Sequence, residues 1–274
     1  GLAYLHVLQT PPMPNAFEVG PDGKLYFPAQ GVNEIWRVSL DGGPHEVVAK
    51  DLGVPDSVHF DAQGFIISTQ VGSGQVLRID PRTGDRTVLA DIMPGLDNCA
   101  IRGDRIFVSH ITGALYEVAG GVARPIIGSG FQWPMGIAVV AAGTVYVADG
   151  MFAYTIAPGK SRQAAGNLFG GNFPGFLRGV GVSGADGWVV TTANGTAARW
   201  TPGSEPELLG HGFARLMGVA ETPGGAVAFA DYDTGRLMLA EKGEVRELAN
   251  GLDKPMGVAV AADGTVHVDE SAAG

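Results

Sequence analysis

Short runs of alternating apolar and polar residues, separated by turns that contain glycine, follow one another along the whole chain. Such runs predict half-buried β-strands, because successive side chains of a strand point to opposite faces of a sheet. The turn Pro21-Asp22-Gly23 separates two of them, and Asp-Gly between apolar runs is a strong hairpin signal. The first part of the chain therefore predicts four strands, named a to d in chain order: Ala16–Gly20, Lys24–Pro28, Glu34–Leu40 and His45–Ala49.

This four-strand pattern repeats. The copies begin at Pro14, Pro55, Leu96, Pro134, Leu177, Leu216 and Pro255. The first-turn glycines, from Gly23 to Gly264, are separated by 41, 39, 40, 44, 38 and 39 residues. A period of about 40 residues is that of one four-stranded β-propeller blade. The sequence thus predicts an all-β fold, a single β-propeller domain over residues 1–274 with about seven four-stranded blades. A six-bladed propeller is the alternative.

The two ends of the chain carry incomplete copies. The seventh copy stops just after its strand b, Thr265–Val268, and the segment Tyr4–Gln9 has the pattern of an outer strand without a preceding a, b or c. Pairing of these two segments in one sheet would close the ring and remove both free edges. We therefore expect them to share a blade.

Composition and charge narrow the class of protein. The chain is 45% hydrophobic and holds 43 glycines and 17 prolines, which indicates many tight turns in a folded protein. The net charge of −10 and the lack of Lys or Arg runs argue against nucleic-acid binding. Apolar runs are too short to span a bilayer. The single cysteine, Cys99, excludes an intrachain disulfide and is predicted to be a buried hydrophobe.

The same features predict an acidic, soluble protein without a membrane partner. Gly1–Thr10 has no basic start and no small-residue cleavage site. A cytoplasmic location is expected, and secretion after removal of an earlier signal peptide is the alternative. The sequence leaves the oligomeric state open.

We expect the functional residues at one mouth of the central channel of the propeller. The loops that enter strand a and the loops that leave strand b meet there. The residues at the start of strand a are Asn15, Asp56, Asp97, Met135, Arg178, Met217 and Met256. Polar residues in some copies and methionine in others predict a small-molecule site that is partly apolar. The alternative is that the apolar residues pack between blades and the polar groups satisfy loop amides.

Roles within this mouth follow from residue type. Asp56, Asp97, His110 and Glu270 are candidate acid–base groups, and Arg178 is a candidate for stabilising developing negative charge. The candidate substrate-binding residues are Asn15, Asn98, Met135, Trp133, Phe176, Met217 and Met256. A divalent cation such as Ca²⁺ is expected, if one binds, at Asn15, Asp56 and Asp97.

Several motifs resemble known propellers. The stretches 134–149 and 255–268 begin Pro-Met-Gly-Ile-Ala-Val and Pro-Met-Gly-Val-Ala-Val and resemble NHL-type blades. Pro14–Asp80, with Gly-Gln-Val-Leu-Arg-Ile-Asp, resembles the gluconolactonase, senescence-marker and strictosidine-synthase-like superfamily. This resemblance implies a propeller, and in the lactonases of that superfamily a catalytic Ca²⁺ in the channel. Here Met135 and Arg178 stand at two expected ligand positions, so that metal site is not inherited intact.

The blade count also resembles streptogramin B lyase, which uses a channel His and a Glu from the same blade. Pro255-Met256-Gly257 lacks that His, whereas Glu270 stands near the expected Glu. Three functions therefore stay open. The favoured one is a small-molecule hydrolase, lactonase- or esterase-like, that acts on a partly apolar substrate. The alternatives are a non-catalytic propeller that binds a ligand or peptide, and a lyase.

Overall fold

The computed structural model describes residues 5–10, 17–127 and 136–271. Nearly all regular structure in them is β, and the only helical element is a three-residue 3₁₀ turn, Gln30–Val32. The first strand is β1, Leu5–Thr10. By contacts the chain divides into two compact units: Ala16–Ile137, called the 16–137 unit, and Gly1–Asn15 with Ala138–Gly274, called the 138–274 unit.

The 16–137 unit contains three four-stranded antiparallel sheets, each a meander in chain order. The first sheet consists of β2 Glu18–Val19, β3 Leu25–Ala29, β4 Glu34–Val38 and β5 Glu46–Ala49. The second consists of β6 His59–Phe60, β7 Ile66–Thr69, β8 Gln75–Ile79 and β9 Arg86–Asp91. The third consists of β10 Leu96–Arg102, β11 Arg105–His110, β12 Leu115–Ala119 and β13 Val122–Ile127.

The 138–274 unit contains three more four-stranded sheets and one of three strands. The fourth sheet consists of β14 Gly136–Val139, β15 Val145–Asp149, β16 Phe152–Ile156 and β17 Gln163–Asn167. The fifth consists of β18 Leu177–Ser183, β19 Gly187–Thr192, β20 Ala197–Trp200 and β21 Glu207–Gly210. The sixth consists of β22 Leu216–Glu221, β23 Val227–Asp231, β24 Arg236–Glu241 and β25 Glu244–Ala249.

The terminal sheet joins both ends of the chain. It is built from β26, Pro255–Val260, β27, Val266–Ser271, and β1, in the order β1-β27-β26. β1 runs parallel to β27, with Leu5 opposite Val266. The predicted pairing of the terminal segments in one sheet is confirmed. The described residues thus form six complete four-stranded blades, the alternative count, and the copy predicted as the seventh blade is a sheet of three strands.

Apolar side chains on facing sheets form the core within each unit. In the 16–137 unit, Tyr26 and Ile35 of the first sheet pack with Ile66 of the second. In the 138–274 unit, Trp188 and Trp200 of the fifth sheet pack against the fourth, with their rings stacked at 5.9 Å. Burial of these faces, at roughly 25 cal/mol per Å² of apolar area, stabilises the packing of successive sheets. No helix among the described residues is long and apolar enough to cross a membrane.

Candidate functional site

Asp56 and Asp97 lie where the chain enters the first strands of neighbouring sheets in the 16–137 unit. The amide of Asp56 donates to the carbonyl of Thr69 at 2.9 Å, so the backbone at Asp56 is fixed against the end of β7. At Asp97 the register of β10 against β11 shifts between Leu96 and Cys99, a bulge that re-aims the side chains it contains. Both carboxylates are half-buried.

The environment of the two carboxyl groups favours their neutral forms. Burial raises the pKa of Asp56 to about 7, and the negative charge of Asp97 adds to the shift. Burial also raises the pKa of Asp97, an effect that the nearby His110 partly offsets. The effect of Asp97 on Asp56 means that the two carboxylates are close enough to interact. Gln30 Nε2 lies 3.5 Å from Asp56 Oδ1.

Several other buried or half-buried acids pair with a cation, which this pair lacks. Arginine pairs with the buried Asp231 at 2.9 Å (Arg236), and with the half-buried Asp61 at 3.1 Å (Arg78) and Glu221 at 3.2 Å (Arg199). Within the described ranges, no lysine or arginine forms an ion pair with Asp56 or Asp97. An uncompensated, solvent-accessible carboxylate pair is an arrangement suited to proton transfer.

His110 lies beside this pair but uses both of its ring nitrogens. Nδ1 accepts from the amide of Thr112 at 3.1 Å, and Nε2 donates to the carbonyl of Pro94 at 2.6 Å. When the ring is neutral, these bonds place its proton on Nε2. The residue is 2% exposed. Its acid–base role stays a prediction, and the geometry favours a positioning role that ties β11 to the loop before Asp97.

Polar side chains behind Asp56 hold its loop in place. Ser57 Oγ lies 2.6 Å from Thr69 Oγ1, and both side chains are buried. Gln70 accepts from the amide of Gly53 at 3.1 Å and donates to Ser68 Oγ at 2.9 Å. These bonds satisfy buried polar groups and limit the motion of the catalytic candidate.

A histidine–glutamate pair that the sequence analysis did not predict joins the first strands of the first and second sheets. His59 Nδ1, on β6, donates to Glu18 Oε2, on β2, at 3.2 Å, and the amide of Phe60 donates to the same oxygen at 3.1 Å. The pair joins the first and second sheets. The charges of Glu18 and Asp56, after burial itself, raise the pKa of the buried Cys99 thiol to about 12, which makes it an inert thiol.

The remaining predicted residues that the structure describes lie in the 138–274 unit. The Arg178 guanidinium stacks over the Phe176 ring at 5.3 Å, and its buried Nε has no hydrogen-bond partner among the residues described. Met217 and Met256 are buried at 8% and 9% exposure. Glu270 Oε1 accepts from the amide of Asp253 at 3.3 Å. Their roles in binding or catalysis stay predictions.

Four predicted residues cannot be placed in this site. Asn15, Trp133 and Met135 lie outside the described residues, as does the side chain of Asn98. No group of three or more His, Cys, Asp or Glu within residues 5–10, 17–127 and 136–271 is placed to hold a metal ion. The predicted cation site, which needs Asn15, therefore stays a prediction.

Two cavities in the described part of the 16–137 unit lie at the end of its strands opposite the aspartate pair. One, of about 310 Å³, opens between the first and second sheets beside the turns at Asp22 and Gly64. Another, of about 250 Å³, opens between the second and third sheets beside Gly103 and Gly121. Several of their polar side chains form ion pairs, for example Arg37 with Glu46 and Arg78 with Asp61.

Comparisons with known proteins identify the fold. No protein-family model matches the chain, and no curated protein matches its sequence. Streptogramin B lyase is similar in structure, with a TM-score of 0.76 and 14% identity over 94% of this chain and 91% of that chain. The fold is a β-propeller.

Two further propellers show how little the fold restricts function. Virginiamycin B lyase from Staphylococcus aureus has a TM-score of 0.75 at 13% identity, over 94% of this chain and 92% of that chain. The WD40 β-propeller domain of Doa1 has a TM-score of 0.75 at 11% identity, over 95% of this chain and 90% of that chain. Lyases and a WD40 domain share this architecture, so function must be argued from the side chains.

Proposed function

We propose that this propeller is an acid–base enzyme that cleaves a small, partly apolar ester, lactone or related molecule at Asp56 and Asp97. The observation that carries the proposal is the pair itself: two neighbouring, half-buried carboxylates without a cationic partner in the described part of the chain. A purely structural role would favour neutralisation, which the arginine-paired acids of this protein show.

We assign Asp97 as the first of the two carboxyl groups to ionise, because its negative charge is one of the causes that raise the pKa of Asp56. Asp56 keeps its proton to about pH 7, and the charge already present on Asp97 contributes to that retention. Between the two titrations the pair therefore consists of an Asp56 acid and an Asp97 carboxylate, with apparent pKa values that belong to the pair. Such a division supplies a general acid and a general base together.

In hydrolysis, Asp97 removes a proton from water as the water oxygen bonds to the carbonyl carbon. Asp56 then donates its proton to the leaving oxygen as the carbon–oxygen bond breaks, which releases an acid and an alcohol. In an elimination, Asp97 instead removes a proton from carbon, and Asp56 protonates the same leaving oxygen. The structural likeness to two lyases makes elimination the second candidate.

The hydrogen bond between Gln30 and Asp56 adds one amide oxygen to the two carboxylates as a candidate cation ligand, whereas Ca²⁺ takes six to eight oxygens. Binding of Ca²⁺ by Asn15, Asp56 and Asp97 remains a proposal. Its test is activity with added Ca²⁺ against activity with EDTA.

The test is a panel of esters and lactones with Asp56→Asn and Asp97→Asn. Each variant should lower kcat/KM by about 10²-fold or more, because it removes a positioned acid or base. The fold should be retained, since the substitution keeps the shape of the side chain. The matched control is Asp91→Asn, on the exposed outer strand β9. Undiminished turnover in both variants, or no turnover of esters and lactones by the wild type, would contradict the proposal.

A further inference from the structure

The loops around the carboxylate pair carry large apolar side chains that the acid–base chemistry does not use. Val54, Met93 and Ile111 are 36%, 43% and 69% exposed, and we call them the apolar rim. Val54 lies two residues before Asp56, and Met93 lies four residues before Asp97. Ile111 directly follows β11. Apolar side chains of this size and exposure around a polar centre are a feature of binding sites.

A series of backbone hydrogen bonds joins the loops that carry the rim. The amide of Val71 donates to the carbonyl of Val54 at 2.8 Å. The amide of Gly95 donates to the carbonyl of Val71 at 2.9 Å. The amide of Ile111 donates to the carbonyl of Gly95, also at 2.9 Å. Met93 stands two residues before Gly95. The rim is therefore one connected, backbone-fixed surface rather than three separate side chains.

Val54 has a backbone conformation that is unfavourable for valine. Its φ is +63°, in the left-handed region that a β-branched residue rarely adopts. The corresponding residues before β10 and β26 are Gly95 and Lys254, with φ of +106° and +48°. Glycine takes this conformation at low cost. Gly72 makes room for the valine, because an added Cβ there would lie 2.8 Å from Val54 Cγ2.

A partly exposed valine that is held in a strained backbone conformation points to a function of the side chain itself. We propose that the apolar rim binds the alkyl part of a neutral substrate whose reacting group lies at Asp56 and Asp97. This inference rests on the proposed function. A neutral ligand is favoured because the negative charge of Asp97 disfavours an anion beside it. Continuity of the rim with the two aspartate loops identifies the occupant as substrate.

The kinetic test compares p-nitrophenyl acetate with p-nitrophenyl octanoate. Val54→Gly, Met93→Ala and Ile111→Ala should each lower kcat/KM for the octanoate by about 5–20-fold, the effect of removing an apolar side chain contact, and change the acetate value less than about 2-fold. The control is Val88→Ala, at a 46% exposed residue on β9. Equal losses on both esters, or none, would overturn the proposal.

The melting temperature of Val54→Gly distinguishes a binding role of Val54 from a structural one. Because it relieves the left-handed strain, its melting temperature should not fall while octanoate turnover falls. A lower melting temperature with unchanged chain-length preference would show that Val54 is structural.

Binding of Nile red, a neutral fluorescent probe, separates failure of the rim from failure of the proposed function. If the wild type turns over no ester, the rim is still supported when Nile red binds and the three variants weaken its binding by about 5-fold or more. Binding equal in wild type and variants would overturn it. A change of oligomeric state in the rim variants, measured by sedimentation, would assign the surface to a second copy and also overturn it.

Discussion

The residues that lead into the first strands differ between the two units of the chain. In the 16–137 unit they include Asp56-Ser57 and Asp97-Asn98, whereas in the 138–274 unit they include Met217-Gly218 and Met256-Gly257. Asp56 and Asp97 are half-buried, and both methionines are buried. The same place in the repeat therefore holds accessible polar groups at Asp56 and Asp97 and packed apolar groups at Met217 and Met256.

The framework behind these positions is shared. Thr69 meets Ser57 Oγ at 2.6 Å in the 16–137 unit, and Thr191 Oγ1 accepts from the amide of Gly179 at 3.0 Å in the 138–274 unit. Asp269 accepts from the amide of Gly257 in the same way. A polar side chain of the second strand thus fixes the start of the first strand in both units. The chemistry differs because the side chains presented on this framework differ.

The greatest change in stability is expected when aspartate is placed in the packed unit. Met217→Asp should lower the free energy of unfolding by about 3–5 kcal/mol, because it buries a carboxyl group without a partner and removes a packed side chain. Denaturant unfolding at pH 8 measures the loss. Met217→Leu, which keeps an apolar side chain of similar volume, should cost less than about 1.5 kcal/mol. A well-tolerated aspartate would show that Met217 and Asp56 do not differ in environment.

A second prediction uses the pKa of Asp56, which is about 7 in the folded protein and about 3.9 in an unfolded chain. Since the folded state holds this proton more tightly, the stability it contributes is complete below about pH 4 and is lost as pH rises through about 7. Asp56→Asn cannot ionise. Its free energy of unfolding relative to wild type should therefore rise by about 2–4 kcal/mol between pH 4 and pH 8, allowing for partial solvent screening.

Urea unfolding at pH 4, 6 and 8 tests this sign. Asp91→Asn, at the exposed end of β9, serves as the matched control. A relative stability of Asp56→Asn that stays constant, or falls with pH, would mean that Asp56 ionises normally in the folded state.

A smaller loss of stability is expected from substitution of the residue that follows Met217 or Asp56, which is Gly218 or Ser57. A Cβ added at Gly218 would overlap the carbonyl oxygen of Met256, so Gly218→Ala should destabilise by about 1–3 kcal/mol. Ser57 already carries a side chain at the corresponding place. Ser57→Ala loses the hydrogen bonds of Ser57 Oγ with the hydroxyl and the amide of Thr69, and should cost about 1 kcal/mol. Thermal melts of the two variants measure this difference between the units, and equal costs would argue against it.

The blade pattern was open to prediction because its signals are local. Hairpin glycines such as Gly23, Gly64 and Gly264 have φ of +76°, +85° and +89°, a conformation that residue types at turns reveal. The parallel direction of β1 against β27 was not open to prediction, since an alternating pattern is the same in both directions.

The candidate site was predictable only in part. Asp56 and Asp97 were candidates because they occupy one position of the repeat in neighbouring copies. The contact of Glu18 with His59 joins two sheets, so it depends on how those sheets pack. The exposure of Val54 depends on a left-handed backbone that a valine gives no reason to expect. Contacts between elements, unlike periodicity along them, leave no pattern in a single sequence.

The acid–base pair is measured most directly by a pH titration of the aspartate carboxyl carbons, followed by ¹³C NMR in the wild type and in Asp56→Asn. We expect one carboxyl with a pKa of about 7 in the wild type, and its absence from the spectrum of Asp56→Asn. In Asp97→Asn the pKa of Asp56 should fall, because a negative neighbour has been removed, but stay above its ordinary value through burial. A wild type in which every aspartate titrates below about pH 5 would contradict the acid–base pair.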